Sequence, residues 1–158
     1  MLTWQEIIQR FHIKYYNQIV KTTKPLENRF NIFEEFCYPS VINQRNAEFL
    51  WFVLFDFWKT EKYKNRMQKY IDEFSGFKPI FIEEGSPSFL KRVLNEHIKS
   101  CLEEADRYII TTRVDNDDSI HQDMMAEVQK IFDDQDDIFI NFDYGFQYDV
   151  SSQVLIKV

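Results

Sequence analysis

The run from Glu48 to Asp56 constrains this chain most. It is unbroken apolar and aromatic sequence from Phe49 to Phe55, and it has the length of a strand. A half-exposed strand alternates polar and apolar residues, whereas a strand covered on both faces reads as a continuous apolar run. Covered strands belong to parallel sheets, because their crossovers lay helices on the two faces. The run is also the longest apolar stretch, at seven residues. A membrane helix needs about twenty.

The flanking segments supply the helices. Leu26, Phe30, Phe33, Cys37, Val41 and Ile42 recur at helical spacing, so Leu26 to Gln44 reads as a helix that Pro39 kinks or restarts near Tyr38. Thr60 caps a second helix, with Tyr63, Met67, Tyr70, Ile71 and Phe74 on one stripe and Gly76 ending it. Pro79 to Glu83 is a short strand. Ser86-Pro87 opens a helix running to about Ala105, with Leu90, Leu94, Ile98, Cys101, Leu102 and Ala105 inward. Arg107 to Arg113 is the next strand. Asp118 or Ser119 caps a helix striped by Met124, Met125, Val128, Ile131 and Phe132. Asp133 to Asp137 is a solvated acidic turn, Ile138 to Tyr144 a strand, and Gln153 to Val158 another. Gln5 to Ile13 is too short a pattern to separate strand from helix. The alternation predicts one α/β domain over 1–158, with a mainly parallel central sheet flanked by helices. Ligands of such sheets bind at the carboxyl ends of the strands.

Composition narrows the chemistry. Three glycines in 158 residues leave no glycine-rich phosphate cradle, since neither the dinucleotide fingerprint nor the P-loop can be built from them. Sixteen phenylalanines support an aromatic core. The net charge of −7 argues against nucleic acid, whose binding depends on a basic surface. Cys37 and Cys101 both fall in apolar helical patterns and read as buried free thiols, as in a reducing cytoplasm. Neither has a neighbouring Cys with which to build a zinc site. Met1 to Arg10 lacks the basic start and apolar run of a signal peptide, so the expected location is cytoplasmic.

The sharpest chemical feature is Arg113-Val-Asp-Asn-Asp-Asp118, where an apolar strand gives way to a helix. In an extended chain Asp115 and Asp117 share a face, with Cα atoms about 6.5–7 Å apart. Two such carboxylates can address one hard cation and leave positions open for phosphate. Competing readings make Asp118 a helix N-cap and Asp117 a complement to the helix dipole. An EF-hand fails, because Ile120 and Ala126 stand where Gly and Glu are needed. His121 reads as a surface histidine rather than a third ligand, and His12 and His97 have no partner at a telling spacing. Trp51 reads as core. Trp58 suits either a loop anchor or a stacking platform.

Thr112-Arg-Val-Asp-Asn-Asp-Asp118 resembles the Thr-Arg-Leu-Asp-x-Asp-Asp signature of the putative rhamnosyltransferase family. These are bacterial glycosyltransferase-like proteins with a GT-A type nucleotide-sugar fold. A second block, Arg29-Phe-Asn-Ile-Phe-Glu-Glu-Phe-Cys-Tyr-Pro39-Ser40-Val-Ile-Asn-Gln44 followed by Phe49 to Asp56, is similar to another of the family's runs. Ile8-Gln-Arg10-Phe11 resembles its opening strand, with Gln9 where Thr is expected. Together these cover most of 7–145.

The resemblance implies a metal-dependent transfer of a sugar, rhamnose by the family's label, from a nucleoside diphosphate to a glycan or other acceptor. It implies Mn²⁺ or Mg²⁺ on Asp115 and Asp117, with Asp118 in support. It places Asp115 near the donor as well, Asp56 at the base N–H, and Arg10 near the nucleotide. Arg113 either neutralises phosphate charge or pairs with Asp115. The acceptor's general base would come from Asp143 or Asp149, with Asp143 preferred. Against the family's length, 1–158 is expected to be the donor-binding half, lacking a full acceptor half. An apolar edge on such a half-fold would favour self-association. The alternative is a noncatalytic nucleotide-sugar-binding or assembly module.

Overall fold

The computed structural model describes residues 26–57, 63–83, 86–103, 109–132 and 139–158. Arg10, His12, Trp58, Thr60, Gly85, the segment 5–13 and the acidic turn 133–137 lie outside the described residues.

The first helical stretch forms in three parts. Helix α1 spans Leu26–Ile32, a π-helical turn spans Phe33–Cys37, and α2 spans Tyr38–Ile42. The cause of the break is Pro39. It has no N–H to give to the carbonyl four residues back, and its ring crowds that carbonyl. The turn before it widens, and the Tyr38 N–H reaches back to the Phe33 carbonyl instead. The predicted kink is thus a widened turn, after which the helix resumes.

Strand β1, Trp51–Asp56, pairs in parallel with β2, Phe77–Ile82, across α3, Lys64–Glu73. The register sets Trp51 opposite Phe77 and Asp56 opposite Ile82. Both faces of the pair are covered, as the apolar run requires. On one face Val53, Phe55 and Phe77 pack with Phe30, Phe33, Cys37, Val41, Met67 and Tyr70. On the other, Ile80 and Ile82 pack with Leu90 of α4, Pro87–Ser100, while Phe52 and Leu54 close over them. Aromatic rings knit the first core: Tyr38 and Tyr70 lie 4.7 Å apart by centroid, and Trp51 meets Phe77 edge-on at 5.5 Å.

The hinge between α3 and β2 is tight. The Trp51 N–H donates to the Gly76 carbonyl at 2.8 Å. A Cβ on Gly76 would stand 2.8 Å from the Phe49 carbonyl oxygen and would also strike the Phe74 ring. Glycine is needed here for space.

Several expectations are corrected. The expected strand over 107–113 is irregular across its described part, 109–113, and 139–144 is irregular too. A strand exists only through its ladder, and neither stretch has one among the described residues. The central sheet therefore has two described strands, and the structure is a small α/β layer; a full GT-A sheet is not seen in it. The last strand is found as β4, Val154–Lys157, but it pairs antiparallel with β3, Phe146–Asp149, in a separate hairpin. Phe146, Leu155 and Ile156 in that hairpin are exposed. Helix α5 spans Met124–Ile131, beginning beyond Asp118 and Ser119, and Asp123 is its N-cap residue. Val128 is its buried residue; Ile131 and Phe132 are exposed. Because α4 ends at Ser100, Cys101 and Leu102 leave the helix face and are exposed, whereas Cys37 is buried. Ser86 and Pro87 do open α4 as expected. Among the described residues, no helix is long and apolar enough to cross a membrane.

Candidate functional site

The acidic segment is a tight turn beside the first core. The Asp118 N–H donates to the Asp115 carbonyl at 3.1 Å, which closes the turn. Asp118 is thus a turn residue by its backbone, and α5 starts too far on for it to be a cap. Val114 and Ile120, at either end, pack onto the first core and pin the turn to the body of the molecule.

Arg113 pairs with Asp115. Its Nε and Nη2 donate to Asp115 Oδ1 at 2.9 and 2.6 Å. Both bonds land on one carboxylate oxygen, and both side chains are largely covered. Asp117 faces outward. Three carboxylates in four residues make a local negative field. Partial burial pushes the Asp118 carboxyl up, and the charges of Asp115 and Asp117 push it further. The same field reaches across to the π-helical turn before α2. The buried Cys37 thiol is pushed up to about 12, first by burial and then by Asp118, Asp117 and Asp115. Its Sγ donates to the Asp115 carbonyl at 3.5 Å. Cys37 is therefore a neutral buried donor under the turn.

Arg29 is a site neighbour whose role was not legible in the sequence. It opens the second motif block, and its Nη2 donates to Asn116 Oδ1 at 2.7 Å. The bond joins the two blocks directly. Only the coincidence of both blocks in one resemblance hinted at such a link.

The other expected residues stand outside the turn itself. Asp56 ends β1, at the carboxyl edge where α/β ligands bind. Asp143 is exposed in the bend before β3. Among the described residues, no hydrogen bond or ion pair links Asp143 to the acidic turn. Asp149 is committed locally: Oδ1 accepts from the Ser151 N–H at 2.8 Å and the Ser151 hydroxyl at 2.6 Å. Those bonds hold it down at about 2. His121 is exposed and turns to Asp123, with Nδ1 3.7 Å from Oδ2. The His97 ring sits against the Val93 carbonyl.

A cleft of about 780 Å³ opens between β1, α4 and the 109–114 segment. Leu54, Leu90, Leu94 and Ile110 give it apolar walls, and Arg113 and Asn116 supply polar groups. Asp115, Asp117 and Asp118 are not in its lining. Among the described residues, no three His, Cys, Asp or Glu side chains gather closely enough to hold a metal by themselves.

A family model described as putative rhamnosyl transferase matches residues 11–151. The chain belongs to that family. The rhamnosyl transferase match takes in both motif blocks, Asp56, Arg113, the acidic turn and Asp143; Arg10 lies one residue before it. No curated protein and no solved structure matches the chain.

Proposed function

We propose that this protein is a glycosyltransferase that holds a nucleoside diphosphate sugar at the Asp115–Asp118 turn with a divalent cation, Mn²⁺ or Mg²⁺. The family match over residues 11–151 carries the reading, and the family's description makes rhamnose the sugar of first choice. The acceptor is a glycan or another hydroxyl compound.

The donor set suits such a cation. Mg²⁺ is usually held by one or two carboxylates and completes its shell with phosphate and water. Asp117 faces outward, and Asp115 commits only Oδ1 to Arg113. A pair of oxygen ligands fits this role, and a closed cage of three or more does not. When bound, the cation stabilises charge developing on the departing diphosphate. The remaining roles belong to the chain. Arg113 fixes the rotamer of Asp115 and brings positive charge to the phosphate side. Asp118 keeps the turn closed through its N–H. Asp56, at the carboxyl end of β1, accepts from the imide N–H of a uracil or thymine base. Arg10 is proposed as a further contact to the nucleotide. Asp143 takes the acceptor's proton: its carboxylate is exposed, whereas Asp149 has Oδ1 tied to Ser151 and is held down as too weak a base.

Calorimetric titration with uridine or deoxythymidine diphosphate, with and without Mn²⁺, tests the reading. We expect binding that needs the metal and that falls at least about tenfold in Asp117→Ala, the loss of a charge-assisted ligand. Binding indifferent to Mn²⁺ and to Asp117→Ala would refute it.

A further inference from the structure

The acidic turn is held from outside by one helix face. The Ser119 hydroxyl donates to the Phe36 carbonyl at 3.0 Å. The Ser40 hydroxyl accepts from the Ile120 N–H at 3.2 Å while donating to the Cys37 carbonyl at 2.7 Å. Just past α2, Gln44 does more. Its Nε2 donates to the Ser40 carbonyl at 2.9 Å and to the His121 carbonyl at 2.7 Å. Its Oε1 accepts from the Met125 N–H at 2.9 Å. Both faces of the amide's chemistry are thus used, two donations and one acceptance. Next to it, the Arg45 N–H donates to the Gln122 carbonyl at 2.8 Å.

These bonds have a direction. Ser40 and Gln44 take backbone groups from Ile120, His121 and Met125, the exit of the acidic turn and the first turn of α5. A helix N-terminus has orphan N–H groups. At α5 no side chain caps them from within, and the Gln44 amide oxygen meets one from across the fold. The entry to the turn is held by Arg29 and Cys37. Fixed at both ends, the four residues between have little freedom to move their carboxylates. The Ser40 hydroxyl and the Gln44 amide are both spent on backbone groups, so their part is to hold the chain.

We propose that Ser40 and Gln44 are positioning residues, which set the Asp115–Asp118 carboxylates for the donor by holding the backbone that leaves the turn. This rests on the donor reading above. Preorganised groups bind tighter because less freedom is lost on binding.

The test compares Gln44→Met, which keeps the reach and loses the three amide side-chain bonds, with Ser40→Ala, Ser40→Thr and Ile80→Val. Ile80 lies in the second core, on the other face of the sheet. Two readouts are taken: amide hydrogen exchange at Ile120 and Met125, and Mn²⁺-dependent affinity for uridine or deoxythymidine diphosphate. We expect Gln44→Met to speed exchange at both amides and weaken nucleotide binding about tenfold, the loss of well-placed hydrogen bonds. Ser40→Ala should do the same more mildly, and Ser40→Thr should restore binding because the hydroxyl is kept. Ile80→Val, compared at a temperature giving equal folded fraction, should change neither readout. Unchanged exchange and affinity in Gln44→Met would overturn the proposal. So would an equal loss of affinity in Ile80→Val, which would make the effect general instability. Wild-type protein that binds neither nucleotide fails the donor reading first, and the positioning role with it; faster exchange in Gln44→Met then marks a purely structural tie.

Discussion

Glu34 is a single residue on which several elements depend. Arg66 grips it with two donors, at 2.6 and 2.5 Å, and the Tyr70 hydroxyl donates to it at 2.5 Å. Arg66 also reaches Glu27 and Asn31, so α3 is buttoned to α1 and the π-turn by charge. The Arg66 bonds hold the Glu34 carboxyl below the ordinary glutamate value of 4.5, although desolvation pulls the other way. The sign follows from linkage. A folded-state value below the unfolded one gives stability that is present above the unfolded value and lost as pH falls through the folded value. Glu34→Gln should therefore cost about 1–2 kcal/mol at pH 7, in the range of charged hydrogen bonds at a partly exposed site. The gap to wild type should close as pH drops below 4.5, as urea unfolding across pH 3–7 would show. A gap independent of pH would contradict the assignment. At this scale the sequence was an uneven guide. Asp115 and Asp117 could be singled out because Asp-x-Asp at a strand end is a local pattern. The partners of Arg29, Ser40 and Gln44 could not, because each lies roughly eighty positions away, and helical periodicity reports only which residues are buried.

Among the elements, those legible in the sequence were the ones whose stability is local or whose burial is complete. The helix over Leu26–Ile42 and the covered strand at Trp51–Asp56 stand where the periodicity put them. The expected strand over 107–113 does not across its described part, 109–113, because apolar sequence states a need for cover and a ladder needs a partner edge. The start of α5 was missed for a related reason: several polar residues could cap, and the tie from Gln44 to the Met125 N–H lies outside any local window. Gly76 is the most exacting position in an element boundary. Gly76→Ala would press a methyl group onto the Phe49 carbonyl at 2.8 Å and onto the Phe74 ring. We expect it to cost about 1–3 kcal/mol, the usual range for overpacking. A midpoint of thermal unfolding equal to wild type would show that the hinge can yield.

The molecule as a whole is unevenly built. Two cores sandwich β1 and β2, while the β3–β4 hairpin leaves its apolar side chains in solvent. Leu90 is 2 % exposed and Leu155 60 %. Leu90→Ala should therefore cost about 2–5 kcal/mol, and Leu155→Ser no more than about 0.5 kcal/mol. Denaturant titration of the two variants measures both; a large loss in Leu155→Ser would mean the hairpin is covered in solution. The class of fold, an α/β layer around a covered strand, was readable because two-sided burial leaves its mark on every residue of β1. How many of the described segments pair as strands was not, since that depends on pairings between distant segments.

The ties from α2 to the acidic turn span sequence separations of 77 to 81. A ribosome adds roughly 5–20 residues per second. Ser40 and Gln44 are therefore made some 4–16 s before the backbone they hold. In that interval the nascent helix carries its hydroxyl and amide against water, and the site does not yet exist. Its assembly is a late event in the life of the chain, one that a stalled or shortened message would never reach.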